Sequence, residues 1–416
     1  MKALLILFYI LLFLLPTQLG RHFFFDFSYV SGLRSDYLAP VLYVTDLLIF
    51  SILFTFFFIK HKKNIRKKQT PLVIVYSLYL LFSIIFVPLN KWAAIYKFIK
   101  LTEFFLLGYV TVKIKPKIFH VISVLSIGSF YSSVVAIWQF IIQKSIGGYL
   151  WFMGERTFNS LTPGIALGSW GGRSFLRPYA TFPHPNVLGG FLSLVLTYVI
   201  YTLTNHYKVM KKTWLLFYML VTILGVITLV ITFSRLAWAS FLVGVFCLLI
   251  LRKKDAYKWL QSKKTFLLII LYLIILSSVV ILIFISLNEK SIIERKELIQ
   301  VALSMIASKP LFGVGLNNFI VQVKFYVPYI KNTYLLQPVH NVYLLIFSEL
   351  GFVGFFLTLL GISVLLLRSL KSRQIVFISI VQLFFLGMFD HYLFTLQQGM
   401  LLFTVIAPLA FLPEKN

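Results

Sequence analysis

Residues 337–354 read Gln-Pro-Val-His-Asn-Val-Tyr-Leu-Leu-Ile-Phe-Ser-Glu-Leu-Gly-Phe-Val-Gly. A proline holds the chain extended before a polar pair, His340 and Asn341, and an apolar helix is predicted to follow. Eleven residues complete about three helical turns, so we expect His340 and Gly351 to share a face. Gly351 and Gly354 would let a neighbouring helix approach closely. His340 is either a base that accepts a proton from a hydroxyl near neutral pH or simply part of a capped helix start.

The composition indicates a membrane protein. The chain has 416 residues, of which 60% are hydrophobic, and its mean hydropathy is +0.92. These values lie outside the range of soluble domains, and the many apolar runs of about 18 or more residues are candidate transmembrane helices. We therefore expect an all-α polytopic membrane protein whose single integral membrane domain covers residues 1–416.

The net charge of +27 raises the alternative of nucleic-acid binding. Most of the basic residues, however, cluster in short loops between apolar runs, where topogenic signalling and contact with anionic lipid headgroups explain them better. We expect membrane lipids as partners and no nucleic acid. The basic loops are at 60–68, 113–117, 208–212, 252–264 and 368–373.

Twelve membrane spans can be drawn from the apolar runs. The positive-inside rule places the basic loops and both termini in the cytoplasm. Met1-Lys2 and the apolar run after it resemble a signal peptide, but no cleavage site follows, so we expect an uncleaved first helix. The spans are approximately 3–19, 38–59, 70–88, 93–112, 118–141, 187–206, 213–232, 234–251, 265–287, 341–367, 374–393 and 395–412.

This topology gives the outer side two long connections, 142–186 and 288–340. Loops of this length are usually functional or disordered. The first carries aromatic residues among glycines and prolines, which favours a segment lying in the membrane interface. The second contains 291–308, where apolar residues at helical spacing predict one or two amphipathic turns. No soluble domain is predicted.

The unusual polar residues all fall at outer helix ends or in the outer connections. Ionisable groups at membrane depth are costly and tend to be functional, and their convergence on one face indicates a site there. The helix-end residues are His184 and Asn186 before the sixth span, Ser234 and Arg235 at the eighth, His340 and Asn341 at the tenth, and Asp390 and His391 after the eleventh.

Arginine side chains match phosphate oxygens bidentately and keep their charge at any working pH. Arg235, Arg295 and Arg177 are therefore candidates to bind a lipid diphosphate and to stabilise it as a leaving group. The alternatives are a snorkelling arginine at 235 and a solvated helix face around Arg295. For His184 the alternative is a rigid turn. Asp390 could orient the base or pair with an outer arginine.

Several motifs are absent from the sequence. The outer side has no paired-carboxylate or HExxH metal signature, and the chain has no P-loop. The single Cys247 lies in an apolar run, which leaves no disulfide framework and no cysteine-based metal site. We expect a transfer reaction that uses no metal and no cofactor, and we do not expect direct ATP-driven transport.

Four motifs in order resemble those of the O-antigen ligase and polymerase family of bacterial envelope glycosyltransferases. Together they span residues 177–354, which we expect to form an O-antigen ligase-like core. Ala180 stands where the family commonly has glycine. The motifs are Arg177-Pro-Tyr-Ala-Thr-Phe-Pro-His184-Pro-Asn186-Val-Leu-Gly189-Gly, Thr232-Phe-Ser-Arg235-Leu-Ala-Trp238, Arg295 with Lys309-Pro-Leu-Phe-Gly313-Val-Gly315, and His340-Asn341 with Gly351 and Gly354.

The resemblance implies a multi-pass enzyme of polysaccharide biosynthesis, such as that of lipopolysaccharide, in the inner (cytoplasmic) membrane. Such an enzyme transfers a glycan from an undecaprenyl-diphosphate donor to a sugar hydroxyl of a glycan or glycolipid acceptor on the outer face. By position, His340 is the implied general base, and Arg235 and Arg295 are the implied diphosphate ligands. His184, Asn186, Asn341 and Asp390 are expected to support them.

Two other functions remain open on the sequence alone. A polymerase of the same family would share this chemistry and these motifs. A flippase or transporter of lipid-linked glycans would need charged residues along a path through the bilayer midplane. The middles of the later predicted spans carry almost no charge, which favours an enzyme acting at one face.

Overall fold

The computed structural model describes residues 2–59, 70–251, 289–327 and 336–412. Within these residues the protein is predominantly α-helical, and strands occur only as three short antiparallel pairs. These pairs are β1 (Gly20–His22) with β4 (Val41–Tyr43), β2 (Tyr29–Val30) with β3 (Leu33–Arg34), and β5 (Leu167–Trp170) with β6 (Arg173–Leu176).

The helices follow the apolar runs of the sequence. In chain order they are α1 (Lys2–Phe13), α2 (Val44–Phe58), α3 (Thr70–Phe86), α4 (Lys91–Ile114), α5 (Ile118–Ile142), α6 (Pro185–His206), α7 (Lys212–Ile231), α8 (Arg235–Leu251), α9 (Glu289–Ser308), α10 (Phe319–Gln322), α11 (Val342–Leu370), α12 (Gln374–Phe389), α13 (Tyr392–Thr395) and α14 (Gln397–Ile406).

The predicted helical membrane class agrees with the structure, but the count of twelve spans is not confirmed. Among the described residues, α5, α6, α7 and α11 are long and apolar enough to cross a membrane, and the other apolar helices are shorter. The predicted span 265–287 lies outside the described residues. The predicted amphipathic turns at 291–308 correspond to α9.

Helix α6 lies at the centre of the core and packs against α5, α7 and α8, while α8 also packs against α12. The approach of α6 to α8 depends on Gly189. A Cβ at this position would stand 2.7 Å from the Cβ of Ala237 and 3.1 Å from that of Ser234. Small residues therefore bring the first turns of α6 and α8 together, as is common where membrane helices pack closely.

Helix α11 is interrupted at Gly351, which has φ 62° and ψ −169°. The prediction that His340 and Gly351 share one continuous helical face is therefore wrong. A Cβ at Gly351 would stand 2.4 Å from the backbone carbonyl of Leu311, so this glycine accommodates a loop rather than a helix. Gly354 does face a helix, since its Cβ would stand 2.7 Å from a ring carbon of Tyr79 in α3.

We expect Gly351→Ala to destabilise the fold. A non-glycine residue in such a conformation costs about 1–3 kcal/mol, and the new methyl group would also press on the Leu311 carbonyl. Thermal unfolding of the purified protein in detergent measures the effect. Gly361→Ala in the same helix is the matched control, because its Cβ meets no atom within 4 Å. Equal melting temperatures for the two variants would contradict this prediction.

The connection between α5 and α6 is organised by a buried carboxylate. Glu155 accepts hydrogen bonds of 2.7 Å from the Gln139 side chain and from the backbone N–H groups of Ile146 and Gly147. These bonds fix the start of the connection to the end of α5. The chain can then return through β5 and β6 to the first turn of α6.

Candidate functional site

The candidate site forms where four helix ends meet. His184 is the N-cap residue of α6, and Asn341 is the N-cap residue of α11. Thr232 ends α7, and Asp390 ends α12. Helix ends leave backbone N–H and C=O groups without partners inside the helix, and polar side chains are placed here to satisfy them.

Asn341 fixes the position of His340. Its side-chain oxygen accepts a hydrogen bond of 2.9 Å from the backbone N–H of Leu344, which caps α11. Its amide nitrogen donates to the carbonyl of Met388 at 2.8 Å, near the end of α12. The predicted supporting residue Asn341 therefore joins two helix ends and places His340 beside Asp390.

His184 has a structural role that also fixes its protonation. Its Nδ1 accepts a hydrogen bond of 3.1 Å from the backbone N–H of Asn186, so a neutral ring carries its proton on Nε2. Burial lowers the pKa of His184 to about 3, and the positive charge of Arg177 acts in the same direction. His184 is therefore a neutral helix cap at physiological pH.

The side chain of Asn186 bridges a cation and a carboxylate. Its oxygen accepts a hydrogen bond of 2.6 Å from Nη2 of Arg177, and its nitrogen donates to Oδ2 of Asp390 at 3.1 Å. The Nε of Arg177 also donates to the carbonyl of Thr232 at 2.6 Å. Arg177, Asn186 and Asp390 thus join the ends of α6, α7 and α12.

This bridge changes the role expected of Arg177. Two of its donor nitrogens already bind protein oxygens, one of them at the C-terminus of α7, where a cation is favourable. Burial, together with the positive charges of Arg235 and Arg295, lowers the pKa of Arg177 to about 10, so it stays protonated near neutral pH. Arg177 is therefore better placed to position Asn186 than to bind a ligand, because two of its guanidinium nitrogens already donate to the protein.

Ala180 has φ 50°, in the left-handed region that glycine adopts without steric cost. This conformation gives a physical reason for the glycine that the family commonly has here. The Gln139 side chain holds the alanine in place, since it accepts from the Ala180 N–H at 2.7 Å and donates to the Ala180 carbonyl at 3.0 Å. The departure from the motif therefore preserves the turn before His184.

Asp390 provides the negative charge of the site. Besides the bond from Asn186, its Oδ1 accepts the backbone N–H of His391 at 2.8 Å. Burial alone would raise the pKa of Asp390, but the neighbouring His391, His340 and Arg295 outweigh it and lower the pKa. Asp390 is therefore ionised near neutral pH.

His340 is adjacent to a second imidazole. The ring centroids of His340 and His391 are 5.0 Å apart in an edge-to-face arrangement. Burial lowers the pKa of His340; Asp390 opposes this shift, and Arg295 adds to it. The Nδ1 atom of His340 is buried and has no hydrogen-bond partner among the described residues. His340 is thus neutral and has one nitrogen available to a partner.

The three candidate arginines are electrostatic neighbours. Arg235 and Arg295 both act on Arg177, and they also act on each other. Arg295, from α9, is close enough to His340 to lower its pKa. Arg295 of α9 therefore interacts electrostatically with both Arg235, the first residue of α8, and His340, and the positive charges of the two arginines would favour an anion nearby.

The structure adds residues that the sequence reasoning did not include among the site residues. His391 lies next to His340, and Thr395 Oγ1 is 2.7 Å from Nδ1 of His391. Tyr37, from the loop between α1 and α2, packs its ring 5.5 Å from that of His391. The adjacency of Asp390 and His391 in the sequence was the available signal for His391. No sequence pattern marked Tyr37 or Thr395.

One nitrogen of His340, one nitrogen of His391 and one oxygen of Asp390 lie within 4.8 Å of one another, a spacing that could suit a metal ion. Both Asp390 oxygens accept hydrogen bonds from the protein and Nδ1 of His391 contacts Thr395, whereas Nδ1 of His340 has no hydrogen-bond partner among the described residues. We interpret the group as an acid–base cluster in which the protein holds Asp390 and His391.

Comparison with known proteins matches part of the chain to a protein family. Residues 220–359 match a family model described as O-antigen ligase (Wzy_C). The match covers about a third of the chain and includes Arg235, Arg295 and His340. No match to the chain is found among curated proteins. The family resemblance predicted from the motifs is confirmed by this match.

Proposed function

The match of residues 220–359 supports membership of the O-antigen ligase family of bacterial envelope membrane proteins, and from this premise we propose a glycosyltransferase that uses a lipid-linked donor. The donor is a glycan on undecaprenyl diphosphate, and the acceptor is a sugar hydroxyl of a glycan or glycolipid. The core of the enzyme is residues 177–354 of a single membrane domain. The chain therefore acts in O-antigen processing.

The observation that carries the proposal is the meeting of His340 with Arg235 and Arg295. A neutral imidazole and two guanidinium groups are linked electrostatically through Arg295, although α8, α9 and the segment before α11 supply them separately. General-base transfer to an acceptor hydroxyl needs the first group, and departure of a diphosphate needs the others. His184, Asn186, Asn341, Asp390 and Arg177 hold these ends together.

In the proposed reaction, the acceptor hydroxyl oxygen attacks the anomeric carbon of the donor sugar and its proton passes to His340. The bond between the anomeric carbon and the diphosphate oxygen breaks. The electron pair leaves with that oxygen as undecaprenyl diphosphate. Its additional negative charge is stabilised by Arg235 and Arg295. One glycosidic bond forms for each bond to diphosphate that breaks.

The site is proposed to face away from the cytoplasm, in the inner membrane, with both termini inside. The basic loop at 208–212 follows the end of α6, whereas His184 and the rest of the site stand at its beginning. Under the positive-inside rule this arrangement places the site outside, where lipid-linked glycans are presented for transfer.

A direct test supplies the purified protein with a synthetic undecaprenyl-diphosphate glycan and a glycolipid acceptor. The expected products are a glycosylated acceptor and undecaprenyl diphosphate in equal amounts. A ladder of products extended on the lipid would indicate the polymerase alternative. Movement of the donor across proteoliposomes with no new bond would contradict the transferase and favour a flippase.

We expect the acid limb of the pH profile of kcat/KM to have a midpoint below 6.5, the ordinary histidine value. The base is the neutral form of His340. Burial and the charge of Arg295 lower the pKa of His340, and Asp390 only partly opposes them. Activity therefore falls only when the pH drops below this lowered pKa. The neighbouring His184 and His391, with pKa values of about 3, stay neutral. A midpoint above 6.5 would contradict this assignment of His340.

A further inference from the structure

His391 and Thr395 form a pair that the proposed reaction does not yet use. His391 lies beside the base, in the turn that joins α12 to α13, and Thr395 is the last residue of α13. His391 is buried, with 3% of its surface exposed. A buried neutral imidazole next to a base needs partners for both its nitrogens, and those partners determine which nitrogen carries the proton.

The hydrogen bonds of Thr395 indicate the tautomer of His391. Thr395 Oγ1 donates its only hydrogen to the backbone carbonyl of His391 at 3.1 Å. The same oxygen lies 2.7 Å from Nδ1 of His391. With the hydroxyl hydrogen directed to the carbonyl, the short contact is made by Nδ1–H donating to the oxygen. Nε2 of His391 then carries no proton and is an acceptor.

His340 has the complementary atom. Its Nδ1 is buried and lacks a hydrogen-bond partner among the described residues. If Nδ1 carries the proton of the neutral ring, Nε2 is the bare nitrogen that a general base requires. One nitrogen from each ring and one oxygen of Asp390 lie within 4.8 Å of one another. The two rings are not hydrogen-bonded to each other in this structure; hydrogen bonds at catalytic sites are often long in the absence of substrate and shorten when it binds.

We propose that His391 is a positioning residue for the base: Thr395 fixes its tautomer, and its bare Nε2 accepts the Nδ1–H of His340. This arrangement leaves Nε2 of His340 free to take the proton of the acceptor hydroxyl. The hydrogen bond to His391 also stabilises the positively charged ring that results. The inference rests on the proposed function, in which His340 is the base. The competing acceptor is Asp390, whose two oxygens each already accept a hydrogen bond from the protein.

Kinetics of glycan transfer provide the first test. His391→Leu removes the hydrogen-bond acceptor Nε2, so we expect kcat to fall by about 10²-fold with KM unchanged. His391→Gln is expected to recover most of this loss, because its amide oxygen can accept the same bond. An unchanged kcat in His391→Leu would overturn the proposal and favour Asp390 as the partner.

Variants of Thr395 test whether Thr395 acts on His340 through His391. Thr395→Val is expected to lower kcat about tenfold, as for a lost hydrogen bond, whereas Thr395→Ser keeps the hydroxyl and should recover most of this loss. The double variant of His391→Leu with Thr395→Val should be no slower than His391→Leu alone, since both act through one contact. Additive losses would overturn the proposal.

Nitrogen NMR of histidine-labelled protein tests the tautomer without any transfer assay. The signals of His391 are those lost in His391→Gln, and we expect a protonated Nδ1 and a bare Nε2. Thr395→Val should weaken this preference. A protonated Nε2 in the wild type would overturn the inference. If the wild type transfers no glycan but shows the expected tautomer, the proposed function fails while the arrangement of His391 stands.

Discussion

His340→Ala is expected to lower the rate of glycan transfer by about 10²–10⁴-fold, the usual contribution of a general base. The acceptor hydroxyl would then lose its proton to water instead of to a fixed imidazole. Donor binding should change little, because in the proposed reaction the arginines, and not His340, bind the diphosphate. The measurement is kcat with a synthetic lipid-diphosphate donor, together with the donor KM.

His206→Ala is the matched control for this variant. His206 is exposed at the opposite end of α6, far along the helix from the cap at His184. It should keep wild-type activity. If His340→Ala transferred glycan as fast as His206→Ala, His340 would not be the base and the helix-cap interpretation would replace it.

Arg235→Ala and Arg295→Ala are each expected to reduce kcat by about 10²–10³-fold, as seen when one group that stabilises developing negative charge is removed. The physical reason is the charge that appears on the diphosphate as it leaves. Lysine at either position should restore only part of the rate, because it keeps the charge but not the bidentate fork. The measurements are kcat and donor KM for the alanine and lysine variants.

Arg156→Ala is the control for the arginine variants. Arg156 is exposed and lies in the outer connection between α5 and α6. Loss of general positive charge on that side should leave the rate unchanged. Equal losses in Arg156→Ala and Arg235→Ala would mean that the site acts through overall charge rather than through specific phosphate contacts.

The helices could be predicted from sequence because long apolar runs have one stable form in a bilayer, with all backbone hydrogen bonds satisfied internally. Predicted limits such as 118–141 and 374–393 fall close to α5 and α12. The three strand pairs were not predicted, since strands of two to four residues leave too short a pattern to detect. The break at Gly351 was also missed, because a glycine inside an apolar run is equally typical of close helix packing.

Most residues of the candidate site could be predicted from the sequence, but the contacts between them could not. The distribution of basic residues predicted that the helix ends carrying His184, Arg235, His340 and Asp390 lie on one side of the membrane, and the structure places His184, His340 and Asp390 close together. The rotation of each helix is not readable from uniformly apolar faces, since lipid and neighbouring helices both accept leucine. The bonds from Arg177 to Asn186 and the approach of Tyr37 therefore emerged only from the three-dimensional packing.

Sided labelling with a membrane-impermeant thiol reagent tests the central claim, that the site opens away from the cytoplasm. In a Cys247→Ala background, one cysteine replaces Met388, which is 49% exposed beside Asn341, and another replaces Val209, which is 84% exposed after α6. In intact right-side-out vesicles we predict labelling at position 388 and, until the membrane is permeabilised, none at position 209. Labelling at 209 but not at 388 would contradict the account.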